Sequence, residues 1–227
     1  MSESIQMSAY ELTMPLLISA KQKDQKVYSS AIEKILAQTH DPTSFNLWLL
    51  GRVIVAADDM GEKDRANDIA AVVHKQLLLL PKSDNFSTWT WGYLAAHYAH
   101  SKEYQECKEN MLSGIEDLQA KTEEREQDNV QWAFALGISA AAQAKDAGVY
   151  RDLLQKLKLW TGKENLSDAI ETIPRRDFTA WAMALIYRAA QKMDDLDSCR
   201  ELAPRMQVAI ASATAPNDQL LAQMILT

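Results

Sequence analysis

Residues 91–114 read WGYLAAHYAHSKEYQECKENMLSG, and this stretch decides the fold. Trp91, Leu94, Ala95 and Tyr98 recur at the i, i+3, i+4, i+7 spacing of one helical face. A short polar step at Ser101 follows. A second stripe then runs Tyr104, Cys107, Met111 and Gly114, mixing large and small residues. Two helices that approach closely need large side chains set opposite small ones. The stretch therefore reads as a helix hairpin closed by a short turn.

Hairpins of the same build are expected on both sides. Proline, glycine and charge clusters divide the chain into paired helices over 8–21 and 26–38, 43–58 and 63–80, 86–100 and 102–120, 124–145 and 149–159, and 177–193 and 196–213. Asp41 reads as the N-cap of the third helix, with Pro42 at its first position, where a missing N–H costs nothing. The fourth pair is expected to turn at Gly148 and the fifth at Asp194–Asp195. Pro204 is expected to kink the last long helix or start a new one. Residues 161–174 form the main interruption, with Ser167 a candidate cap for a single turn. A short helix over 218–226, capped by Asn217, would cover the exposed end of the core.

Tryptophans mark the repeat. Trp48, Trp89, Trp132 and Trp181 fall in the first helix of successive pairs, 41, 43 and 49 residues apart. In the last pair Ile186, Tyr187 and Ala190 stand above Leu196, Cys199 and Ala203 in matching phase, which places both cysteines where helices approach. The unit over residues 89–114 resembles the tetratricopeptide pattern W-x2-L-G-x2-Y. That resemblance implies an all-α chain: an α-solenoid of about five antiparallel hairpins with a C-terminal capping helix, forming a single helical-repeat domain over 1–227.

Composition narrows the classes of work. The chain has 227 residues, with 24 Lys and Arg against 31 Asp and Glu, a formal charge of −7. Its pI near 5.2 argues against nucleic acid as the main partner. Seven glycines and six prolines are too few for an all-β or Rossmann-type chain. Two cysteines without metal-ligand spacing suit a reducing compartment, so cytoplasmic localisation is expected. The first residues lack a basic n-region, and 132–144 is too short to span a membrane.

The sequence carries no GxSxG, P-loop, HExxH or dinucleotide fingerprint. The expected work is a non-enzymatic protein-protein interaction scaffold or adaptor, with another protein as partner and no cofactor. By size, charge and architecture the chain is similar to chaperones and helical adaptor subunits of bacterial assemblies such as type IV coupling complexes. The alternative is a metal-dependent enzyme or sensor built on His97 and His100, which share one helical face with Glu103 a turn on. Trp89 and Trp91 stand two residues apart and point about 200° around a helix, so one of them is a candidate surface anchor. Arg175 and Arg176, in the longest loop, are candidate contacts for an acidic partner. The pairs Asp58–Asp59 and Asp194–Asp195 are expected to bond their own turn backbones.

Overall fold

A computed structural model describes residues 13–80, 84–121, 127–171, 176–213 and 216–226. Among these residues the chain is all-helical, without a strand. Helix α1 occupies 13–22. It is followed by α2 (Gln25–Leu36), α3 (Ser44–Met60), α4 (Lys63–Leu77), α5 (Asn85–His97) and α6 (Tyr104–Lys121). The second half holds α7 (Gln127–Gln143), α8 (Ala147–Thr161), α9 (Leu166–Glu171), α10 (Arg176–Lys192), α11 (Leu196–Ser212) and α12 (Pro216–Leu226).

The helices sort into two layers, and their sequences say why. In α5 every residue from Ser87 to Ala95 is buried, and α3 is buried from Leu47 to Ile54. A helix apolar on all sides must be covered on all sides. Accordingly α3, α5, α7, α10 and α12 pack in succession as an inner row. Helices α4, α6 and α11 pack mainly on their hairpin mates and bury one stripe, as Ala66, Ala70, Val73 and Leu77 do on α4. Helix α8 packs in the same way on α7.

One turn geometry recurs. The residue closing the first helix of a pair adopts a left-handed conformation at Lys23, Gly61, Lys145 and Asp194. The next residue, Asp24, Glu62, Asp146 or Asp195, donates its N–H back to the carbonyl of Ser19, Ala57, Ala141 or Ala190, at 2.9 Å each time. This six-to-one bond satisfies an orphan helix-end carbonyl. The same acidic residue then begins the second helix of the pair. Asp24, Asp146 and Asp195 cap it by accepting backbone N–H bonds through their carboxylates. The turn between α5 and α6 is longer and does not share this geometry.

Close helix approach explains two glycines. A β-carbon on Gly92 of α5 would stand 2.9 Å from Cβ of Leu136 on α7. One on Gly114 of α6 would stand 2.5 Å from Oγ1 of Thr88. Both contacts are too short for any other residue to be accommodated without displacement.

Several expectations are corrected. Thr43, not Asp41, caps α3, its side chain accepting from the Asn46 N–H at 3.2 Å. The fourth hairpin turns at Lys145–Asp146, and Gly148 lies inside α8. Helix α11 continues through the exposed Pro204, so no new helix starts there. Ser167 lies inside α9 rather than capping it; the Glu201 carboxylate of α11 instead accepts from the Ser167 N–H at 2.9 Å. Asn217 likewise falls inside a helix, because α12 begins at Pro216.

Candidate functional site

The inner row encloses a groove of about 640 Å³. Its floor is apolar and aromatic, formed by Leu17 of α1, Tyr93 of α5, Trp132 and Leu136 of α7, and Trp181 and Leu185 of α10. Its rim is charged and comes from the C-terminal parts of α1, α3, α5 and α10: Lys21, Asp58, Asp59, His97, Arg188 and Lys192. On α1, α5 and α10 three to four residues separate a floor residue from a rim residue, Leu17 from Lys21, Tyr93 from His97 and Leu185 from Arg188, so one helix face supplies both.

Arg52 of α3 closes one side. Its guanidinium lies 5.2 Å from the ring centroid of Trp48 and 5.6 Å from that of Trp181, placing a buried cation between two indole faces. The contact joins α3 to α10, which are not neighbours in the inner row. Along that row the equal-phase tryptophans pair, Trp48 with Trp89 at 6.0 Å and Trp132 with Trp181 at 5.9 Å between centroids.

The acidic side of the rim is internally matched. Asp59 pairs with Lys21 at 2.8 Å and Asp58 with His97 Nδ1 at 2.8 Å. The other imidazole nitrogen of His97 meets the Asn67 side-chain oxygen at 3.1 Å. Asp58 and Asp59 thus reach across to other helices and do not bond a turn backbone as expected. The basic side is matched differently. Arg188 donates to the Ile225 carbonyl and Lys192 to the Gln143 side-chain oxygen, both at 3.0 Å.

Burial, and then the charges of Arg188, Lys145 and Lys21, hold the Lys192 ammonium below the ordinary lysine pKa. Elsewhere, burial pushes the Cys107 thiol up to about 12, assisted by Glu106 and Glu103. Burial, then Asp195, raises the Cys199 thiol. Neither cysteine has the depressed pKa of a reactive thiolate.

The sequence-selected residues fare unevenly. Trp89 and Trp91 are 5 % and 3 % exposed, so neither is an outward anchor. A two-layer stack buries both by turning them opposite ways. Trp89 joins Phe86 and Trp48 and donates its Nε1–H to the Asn129 carbonyl at 3.0 Å, while Trp91 stands edge-on to His74 of α4, 5.5 Å between centroids. Arg175 lies outside the described residues, and Arg176 is the first residue of α10. His97 and His100 both line the groove, and both ring nitrogens of His97 are hydrogen-bonded, to Asp58 and to Asn67. Among the described residues no three His, Cys, Asp or Glu side chains are grouped to hold a metal.

Sequence reasoning missed the groove itself. Trp132 and Trp181 carried a signal, because they belong to the equal-phase series. The rim cations carried none, since residues as distant as Lys21 and Lys192 become neighbours only once the inner row curves. Among the described residues no helix is long and apolar enough to cross a membrane. Compared with known proteins, the chain matches no family model, no curated protein and no solved structure.

Proposed function

We propose that the chain is a tetratricopeptide-like α-solenoid that works as a non-enzymatic scaffold, holding a segment of another protein in the groove of its inner row. One observation carries this reading: a concavity of about 640 Å³ that pairs an aromatic floor with a charged rim, built wholly from helices. Sites of about 300–1,000 Å³ with mainly apolar walls and a few placed polar groups are typical of ligand recognition. A rigid helical wall is already ordered before a partner arrives, so little entropy is lost on binding. The repeated turns at Gly61, Lys145 and Asp194 support the hairpin-stack assignment, because equal backbone geometry at equal phase is what a repeat array requires.

Affinity purification from the native cell, with mass spectrometry, tests the reading. Wild type and Ser139→Trp, which fills the groove from α7, are compared. A stoichiometric protein partner retained by wild type and lost by the variant is expected. Recovery of the chain alone, or of a partner indifferent to the substitution, would overturn it.

A further inference from the structure

We propose, resting on the groove reading above, that the partner segment is acidic, its carboxylates meeting Arg188, Lys192 and Lys63 and its apolar side chains lying on Trp132 and Leu136. The charge of the groove wall runs against that of the chain. Overall, 24 basic residues face 31 acidic ones. The groove is lined instead by Lys21, Arg52, Lys63, Arg188 and Lys192 against Asp58 and Asp59. Those two carboxylates are already engaged, with His97 and Lys21.

What remains is a cationic wall short of counter-charge: Asp59 is already paired with Lys21, and its field only partly offsets the cations around Lys192. Arg188 and Lys192 donate to neutral oxygens, and neither they nor Lys63 form an ion pair with a described carboxylate. Helix-end fields account for part of this. The negative C-terminal end of α10 attracts Lys192 in its last turn. The same reasoning runs the wrong way for Lys63, the first residue of α4, where the helix field repels a cation. Burial and the neighbouring cations also disfavour the charge on Lys192, a cost that an incoming carboxylate would offset. The acidic rim opposite is already paired, with Lys21 and His97, and does not oppose such a segment.

The full chain is immobilised and a display library of random short peptides is selected against it. Affinities of the recovered peptides are then measured for wild type, Lys192→Glu, Lys63→Glu and Ser139→Trp, at low and at physiological salt, after circular dichroism has established that each variant is folded. Recovered peptides enriched in Asp and Glu are expected. Replacing their Glu by Gln, or substituting Lys192→Glu, should each weaken binding about tenfold or more, and the loss should grow smaller as salt rises.

Lys63 is exposed, so Lys63→Glu tests the wall even where Lys192→Glu disturbs folding. Groove-bound peptides without acidic enrichment, or equal affinity for the Gln versions, would overturn the inference and leave the groove reading standing. Peptides that bind Ser139→Trp undiminished, or the absence of any binder, would overturn the groove reading and the inference with it. Preference for a single-stranded oligonucleotide over every peptide would overturn both.

Discussion

Tyr150 donates its hydroxyl to Asp195 at 3.0 Å, and Asp195 caps the helix of the next hairpin, so one carboxylate both starts a helix and ties it to its neighbour. Tyr104 does the same to Asp146 at 3.3 Å, and Tyr28 donates to Glu62 at 2.9 Å, where the carboxylate ties α2 to the start of α4 without capping it. Burial, followed by the Glu62 bond, pushes the Tyr28 phenol up to about 12. For Asp195 burial raises the pKa, but the Ser198 hydroxyl and N–H together with Tyr150 outweigh it and hold the carboxyl below its ordinary 3.8. Asp146 is held low likewise, by the Val149 N–H and Lys108 against burial. A carboxyl lowered on folding adds stability that is complete above 3.8 and is lost as pH falls through the lower folded-state value. Asp195→Asn keeps a capping side chain but removes this proton linkage. Urea midpoints measured down the acid limb should therefore fall less steeply for the variant; parallel profiles would refute the assignment. Trp89→Ala and Trp91→Ala test another residue-level reading. Each opens a cavity in a covered core and should cost about 3–5 kcal/mol in urea unfolding. A loss below about 1 kcal/mol for either would mean that its ring is not packed as described.

At the level of the element, helix positions were largely legible because three signals coincided: apolar period, polar interruptions and the phase of the tryptophans. Predicted ends at 63, 196 and 226 match α4, α11 and α12. The turns were less legible. Gly61 announces a left-handed position, but Lys23, Lys145 and Asp194 hold the same conformation with side chains that do not advertise it. Gly148 drew the fourth turn away from its true site for that reason. The Ser167 N–H is met by a carboxylate 34 residues away, which no local pattern reveals. The groove was illegible for a related cause, since it depends on which helix ends meet. Two substitutions probe these elements in opposite directions. Asp194→Gly relieves a left-handed position in the turn and should stabilise by up to about 1 kcal/mol. Gly92→Ala forces a β-carbon against Leu136 and should destabilise by about 1–3 kcal/mol. Thermal melts of both, monitored by helical circular dichroism, give the signs. The same sign for both would show that turn and interface are not controlled as argued.

Across the whole molecule, most packing links a helix to its mate or to the next member of the inner row, and a stack built this way can lose helices from either end. Arg52 departs from that pattern, because it lies between Trp48 and Trp181 and so spans most of the chain. Closing so long a loop carries an entropic cost that local hairpins avoid. The contact therefore belongs on the native side of the rate-limiting barrier, assembled after the hairpins have formed. Arg52→Ala should speed unfolding in stopped-flow denaturant jumps while changing the refolding rate by no more than about twofold. A slower refolding limb with an unchanged unfolding limb would place the contact in the nucleus instead. If the unfolding limb does respond, the guanidinium acts as a clasp on lifetime: it governs how long the closed form persists once made, and hence how rarely proteases meet an open end.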